Sequence, residues 1–496
     1  MHSSNDSEIA TTKASANLYE LLAAAAAQAG DTPVFIENGE VRLRYDEFDR
    51  AVGGYAAALV SRGAQPGDRI LVQAEKSVEG ALLYLAALRA GLIYVPLNTA
   101  YTAAELDYFI ADAEPALIVA PGHLDLADLA GAPAGFETVA RGPDDLAAIL
   151  YTSGTTGRSK GAMLSHANLS SNALVLKDTW RWRRGDVLIH ALPIYHVHGL
   201  FVALHGALLN GSTMLWHQSF DADAVIDDMA RATILMGVPT FYTRLLANPR
   251  LDREAVANMR LFVSGSAPLL EATFGEFGAR TGHRILERYG MTEAGMICSN
   301  PYDGERIAGT VGFPLPGVEA SVCDDAGREL PRSEPGVLEI RGPNLFQGYW
   351  RQPDKTAEDM RPDGFFVTGD VATMAADGRV AIVGRAKDLI IAGGLNIYPR
   401  EIELAIDALP GVGESAVIGV PHPDLGEAVV AVVTRTDAAL DEAALLAGLA
   451  DLARFKQPRR ILFVDALPRN AMGKVQKAAL RETYAGLFSP ALPTGS

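Results

Sequence analysis

Residues 151–161 read Tyr-Thr-Ser-Gly-Thr-Thr-Gly-Arg-Ser-Lys-Gly and directly follow the apolar run at 147–150. Five Ser/Thr hydroxyls, three glycines and a lysine fall within those eleven positions. Glycines let backbone approach an anion closely, successive N–H groups can form a concave nest, and hydroxyls and Lys160 add donors and charge. The stretch therefore reads as a strand running into a phosphate-gripping loop, with a nucleotide polyphosphate as ligand. It does not match Gly-x4-Gly-Lys-Ser/Thr, because Lys160 lies between Ser159 and Gly161, so the usual P-loop chemistry is not indicated. A flexible Gly/Thr/Ser connection is the plainer alternative, but such connections seldom follow so apolar a strand.

On either side of this loop the chain alternates helical and β-rich patterns. Helices are expected over 17–29, 45–62 and 78–90, and strands over 34–36, 70–72, 94–96, 116–119, 234–237 and 261–264, with a hairpin turn at Asn38-Gly39. That rhythm predicts an α/β fold of layered sheets flanked by helices. Beyond residue 336 the texture turns to strands (337–341, 365–373, 380–383) and turns such as Asp377-Gly378. The charged segment Gly384-Arg385-Ala386-Lys387-Asp388 then precedes roughly a hundred residues of renewed helix and strand alternation, a usual size for a small domain. The expected plan is a loose tail over 1–16, a large N-terminal domain over 17–384, a hinge at 385–388 and a smaller α+β C-terminal domain over 389–496 that rotates about that hinge.

With 496 residues the chain exceeds the size at which one core keeps growing. Its 49% hydrophobic and 21% charged residues suit a globular enzyme. A net charge of −17 argues against a nucleic-acid partner or an anionic membrane surface, so small anionic substrates need local basic pockets. Cys298 and Cys323, the only cysteines, are too few for a disulfide framework or a zinc site, and fit a reducing, cytoplasmic setting. The polar start, with Asp6 and Glu8, lacks the features of a targeting signal, and no apolar run reaches membrane-spanning length.

Five further motifs carry chemistry. Tyr289-Gly290-Met291-Thr292-Glu293 offers an aromatic face, a close-approach glycine, a hydroxyl and one carboxylate, which can suffice for Mg2+ because that ion keeps several waters. Ser264-Gly265-Ser266-Ala267-Pro268 supplies small residues on which a flat base could lie, with Tyr289 over its other face. Asp370, in Thr368-Gly369-Asp370, could accept two ribose hydroxyls and reads equally well as a turn residue. Residues 384–388 with Gly393-Gly394 form a charged pivot and a glycine loop, and Pro468-Arg469-Asn470-Ala471-Met472-Gly473-Lys474 places a lysine near the chain end.

In order and spacing these motifs resemble those of the AMP-forming acyl-adenylate enzymes, acyl-CoA synthetases among them, from about Asn17 to Leu487. The resemblance implies ATP, Mg2+ and coenzyme A as co-substrates and cofactor. It also implies that Thr152, Ser153, Gly154, Thr155, Thr156 and Lys160 hold the ATP phosphates, and that Thr292 and Glu293 serve the α-phosphate and Mg2+. Ser264, Gly265, Ser266, Ala267, Tyr289, Gly290 and Met291 then surround the nucleotide, Asp370 and Arg385 hold ribose, Lys474 bridges the acyl carboxylate and the α-phosphate, Lys387 is the hinge, and Gly393 and Gly394 border the CoA tunnel. Acylation of Lys474 by an acetyltransferase is expected to switch off the first half-reaction by removing that charge.

The acid is indicated by Arg288, at a position that lines the acyl pocket in relatives. A guanidinium facing an apolar pocket is costly unless paired and would suit a second carboxylate. Arg244, His196, His198 and Ser264 lie on other segments that border this pocket in relatives, and the set looks like malonyl-CoA synthetases. His196 and His198 lack the further ligands a zinc site needs. Pairing of Arg288 with Glu287 at a surface, a CoA ligase for a short monocarboxylic acid, and a stand-alone amino-acid adenylating enzyme are the competing readings. A non-catalytic nucleotide sensor is disfavoured by the presence of both Lys474 and Glu293.

Overall fold

The computed structural model describes residues 15–132, 134–152, 159–393, 395–450, 452–469 and 474–488, the Asn396 side chain aside. The expected tail over 1–14, the loop residues Ser153, Gly154, Thr155 and Thr156, and Gly394 lie outside the described residues. Among the described residues the large domain contains three sheets. In one, the parallel strands Leu117–Val119, Arg69–Val72, Ile93–Pro96 and Leu146–Thr152 are followed at one edge by Lys160–Ser165, antiparallel to its neighbour. Thr152 pairs with Lys160, so the two ends of the phosphate-loop motif are fixed across one rung of the ladder. The motif thus joins two strands, whereas a P-loop joins a strand to a helix.

The second sheet has nine strands, and its middle is parallel: Val187–His190, Ile234–Gly237, Leu261–Ser264 and Leu286–Met291 run the same way. Strands buried on both faces read as continuous apolar runs, which is why 234–237 and 261–264 were legible residue for residue. Gly237 pairs with Ser264 and Ser264 with Glu287, so the residues just beyond these strand ends share one edge, where α/β sheets place ligands. The helix Val78–Arg89, capped by Ser77 on the Gly80 amide, is buried on nearly all sides. At the hairpin, Asn38 and Gly39 both have positive φ, 52° and 83°, as a type I′ turn requires. The first helix stops at Ala26, three residues short of the expected end.

A four-stranded antiparallel sheet, Glu319–Cys323, Gly336–Arg341, Phe366–Met374 and Val380–Arg385, follows. Its last strand passes through the single 3-10 turn Ala386–Asp388 into Ile390–Ala392, the start of the smaller domain's sheet. There the long strands Val412–His422 and Gly426–Arg435 alternate between two faces. One face packs on Ile402, Ile406, Leu445 and Leu449, the other on Leu467 and Leu480.

Trp180 is completely buried in the large core and donates its indole N–H to Ser299 Oγ at 2.9 Å. Truncating such a side chain loses its packing and leaves a cavity, so Trp180→Ala should destabilise the large domain by about 3–5 kcal/mol in urea unfolding followed by far-UV circular dichroism. An unchanged midpoint would mean that this site is not packed as described.

Candidate active site

A cavity of about 710 Å³ lies where the two domains meet, lined from the large domain by Lys160, His196, His198, Arg288, Thr292 and Glu293 and from the junction and small domain by Arg385, Lys387 and Lys474. At one end Thr152, Ser159 and Lys160 mark the phosphate loop. Lys160 Nζ sits 4.9 Å from the Tyr349 ring centroid, and the Tyr349 hydroxyl donates to Glu293 Oε1 at 3.1 Å. Tyr108 donates to the Ser159 carbonyl at 2.8 Å, steadying the exit of the loop. Burial raises the pKa of the Glu293 carboxyl, the direction a nearby cation would reverse.

Further along, Asp370 is not a turn residue. It sits within the strand Phe366–Met374, 3% exposed, opposite Arg385 on the neighbouring strand. Its carboxylate pairs with Arg385 Nε at 2.5 Å and accepts the Tyr289 hydroxyl. Asp370 and Tyr289 therefore stand just behind the cavity wall, while Thr368, Gly369, Gly290, Met291 and Ser266 face the cavity. Ser264 is fully buried, with its hydroxyl lacking a hydrogen-bond partner among the described residues, and Ala267, like Gly265, does not face the cavity.

Arg288 is 3% exposed, and its Nε and Nη2 have no hydrogen-bond partner among the described residues. A surface pairing with Glu287 is overturned: neighbours on a strand point to opposite faces, and Glu287 Oε1 instead accepts the Leu269 amide at 3.1 Å. Burial pulls the Arg288 pKa down to about 9, so the group carries its charge at neutral pH. Beside it, His198 Nδ1 meets Ser266 Oγ at 3.4 Å and its Nε2 has no partner among the described residues, and His196 Nδ1 accepts the His198 amide at 3.3 Å. Burial, then Lys474 and Arg288, pull His196 down to about 3, and burial with Arg288 holds His198 far below its ordinary value, so both are neutral. Among the described residues no group of three or more His, Cys, Asp or Glu is placed to hold a metal ion.

Arg244 requires a correction. On the helix Pro239–Ala247 the inward face carries Phe241, Tyr242, Leu245 and Leu246, which turns Arg244 to solvent and away from the cavity. Arg244, expected from the sequence to border the acyl pocket, therefore does not line the cavity beside Arg288. Lys474 lines the cavity where solvent still reaches it; desolvation and then Arg385 lower its pKa, against opposing pulls from Asp370 and Glu293. Lys387 also lines the cavity, from the turn Ala386–Asp388. Gly393 has φ +60° and donates to the Leu425 carbonyl at 2.8 Å, outside the cavity lining.

Sequence reasoning missed Tyr349 and Lys355, which line the phosphate end, because neither sits in a glycine-rich or charged motif. It also missed Lys76. This buried ammonium donates to the His190 and His217 carbonyls at 2.7 and 2.6 Å, contacts His190 Nδ1 at 3.0 Å and lies 4.4 Å from the Trp216 ring centroid. All of those partners are more than a hundred residues away in sequence, so no local signal existed.

Residues 22–350 match the AMP-binding enzyme family and residues 401–474 match the AMP-binding enzyme C-terminal domain. The feruloyl-CoA synthase of an Amycolatopsis species is 36% identical over 472 residues, covering 90% of this chain and 95% of that protein. The malonate–CoA ligase of Arabidopsis thaliana is 34% identical over 481 residues, covering 85% of this chain and 79% of its own. The crystal structure of ATP-bound MatB from Rhodopseudomonas palustris superposes with a TM-score of 0.91 at 54% identity, covering 96% of this chain and 100% of that one. The chain belongs to the AMP-binding enzymes and is an AMP-forming acyl-CoA ligase.

Glu287 supplies a test of the wall behind the cavity. Its Oε2 has no hydrogen-bond partner among the described residues, and burial raises its pKa from 4.5 to about 7, opposed by the Leu269 amide and Arg400. Between those two values the folded state holds a proton the unfolded state has lost, so stability falls as pH rises and levels off above the window. Glu287→Gln removes this penalty and should gain on the order of 3 kcal/mol more over the parent at pH 8 than at pH 5. Urea titrations at both pH values check it, and a pH-independent difference would sink it.

Proposed function

We propose that this acyl-CoA ligase activates malonate, joining it to coenzyme A through malonyl-AMP with release of pyrophosphate and then AMP. The observation that carries the reading is the Arg288 guanidinium, buried at the cavity wall with Nε and Nη2 unpartnered among the described residues. A buried charge without a partner costs several kcal/mol, and the distal carboxylate of a short dicarboxylic acid would remove that cost with a bidentate pair. The alkyl chain of a fatty acid or the ring of an aromatic acid would leave it in place. The similarity to a malonate–CoA ligase supports the same choice, whereas similarity to a feruloyl-CoA synthase speaks for the shared chemistry and not for the acid.

In the first half-reaction a carboxylate oxygen attacks the α-phosphorus of ATP, the bond to the bridging oxygen of the β-phosphate breaks, and pyrophosphate leaves. Lys160 and the hydroxyls of its loop would hold the β- and γ-phosphates, Thr292 would contact the α-phosphate, and Asp370 with Arg385 would orient ribose. Lys474 would lie between the reacting carboxylate and the α-phosphate, neutralising charge that grows in the transition state. Glu293, one buried carboxylate at the phosphate end, fits an Mg2+ that keeps most of its waters. When bound, that ion supplies further neutralisation of phosphate charge. In the second half-reaction the CoA sulfur attacks the acyl carbonyl and AMP departs with the electron pair of the mixed anhydride.

A lysine that fills the site in the first step obstructs a thiol in the second, so we place a hinge at 385–388, with Lys387 in the turn that moves. His196 and His198, neutral and beside Arg288, would donate or accept hydrogen bonds to the acid without competing for its charge.

Arg288→Leu should lower kcat/KM for malonate by about 30-fold to several thousand-fold, the span of roughly 2–5 kcal/mol for truncating one member of a buried charge pair. Acetate and butyrate should lose little or gain, and methylmalonate should follow malonate. Parallel loss on all four acids would mean that Arg288 supports the fold or the nucleotide. Lys474→Ala should nearly abolish pyrophosphate release while leaving conversion of supplied malonyl-AMP and CoA to thioester largely intact; equal loss in both half-reactions would remove Lys474 from the first step.

A further inference from the structure

Gly265 follows the strand Leu261–Ser264, and Arg288 lies on the adjacent parallel strand Leu286–Met291, one residue beyond the Ser264–Glu287 pair. The strand register thus sets Arg288 against Gly265. The contact is close: a Cβ built on Gly265 would lie 2.4 Å from Arg288 Cζ and 2.6 Å from both Nε and Nη1, and these are its three nearest atoms. The backbone does not demand glycine at this position, since the left-handed residue of the loop is the neighbouring Ser266, with φ +71°.

We propose that Gly265 is a specificity-determining residue: the missing side chain leaves the guanidinium of Arg288 seated on the Gly265 backbone, and that seat sets the depth at which a distal carboxylate is received. This rests on the reading of Arg288 given above. An added methyl cannot coexist with the seated guanidinium. The obstructing atoms are the far end of a flexible side chain, so the chain gives way and the fold does not. Tyr242, whose hydroxyl is fixed on the Val263 carbonyl at 2.7 Å, stands within electrostatic range of Arg288 on the buried side. The open direction is the cavity that Arg288 already lines, and the displaced guanidinium would take up space that belongs to the acid.

A double-mutant cycle tests the assignment, with malonate and acetate as substrates and the ATP KM recorded for each protein. Gly265→Ala is expected to lower kcat/KM for malonate by about 10- to 100-fold, the usual penalty for roughly 1 Å of misplacement, with the ATP KM and melting temperature held. Added to Arg288→Ala, where the obstruction is gone, the same substitution should change kcat/KM for either acid by less than about threefold, because coupled residues lose their interaction together. Equal losses in both backgrounds, a raised ATP KM in both, or no loss in either would overturn the role of Gly265. The reading of Arg288 fails separately, by a single Arg288→Ala that loses malonate and acetate in parallel whatever Gly265→Ala does.

Discussion

The site depends on one unsettled charge. Arg288 is held at the carboxyl edge of a parallel sheet, out of water, with two of its nitrogens unpartnered among the described residues. A group so placed is sustained by the surrounding fold, because moving a guanidinium out of water costs several kcal/mol when no anion accompanies it. The strands Ile234–Gly237, Leu261–Ser264 and Leu286–Met291 supply that support: they are in register, and every residue of the first two and the first three residues of the third are buried. The packed core therefore compensates the cost of holding this guanidinium at the cavity wall, as strain held in one place is compensated in another.

The same constraint explains the charge pattern of the cavity. The chain is strongly acidic overall, yet Lys160, Arg288, Arg385, Lys387 and Lys474 converge on one cavity, with Glu293 on its wall and Asp370 just behind it. Burial is the first cause of the lowered pKa at Arg288, Lys160, Lys387 and Lys474, and cationic neighbours add to it at all but Arg288. Arg385 is the exception, because Asp370, Tyr289 and Glu293 outweigh its burial and raise it. A site arranged in this way holds cations in a state that anions improve, and a nucleotide polyphosphate supplies several anionic groups at once.

Much of this was legible because it is local. The parallel strands announce themselves as short apolar runs, the hairpin as Asn-Gly, and the phosphate loop by composition, and each depends on residues adjacent in sequence. What was not legible depends on phase or on distance. Arg244 was assigned to the pocket from its segment, but a helix turns about 100° per residue, which puts it roughly 160° round from the buried Tyr242 and on the exposed side. Asp370 read equally as a turn because Thr-Gly-Asp gives no register, and only pairing with Arg385 across the ladder shows it to be a strand residue. Lys76 carried no signal, since its three acceptors come from segments brought near by the sheet.

The two domains divide the electrostatic work unequally. The large domain carries Arg288 on the strand Leu286–Met291 of its nine-stranded sheet, buried at the cavity wall. On the mechanism proposed above Lys474 would serve only the first of two steps, because a side chain filling the space beside the acyl carbonyl would sterically block a thiol in the second. Lys474 belongs to the smaller domain: desolvation at the cavity lowers its pKa, yet solvent reaches it, and its domain joins the larger one through the short turn Ala386–Asp388. In that turn Asp388 is ion-paired with Arg481, on the helix that begins three residues after Lys474, so the turn and the lysine-bearing end of the chain are tied within one body. On the mechanism proposed above, the cation that meets the distal end of the acid and the cation that meets the reacting carboxylate would lie on opposite sides of that turn.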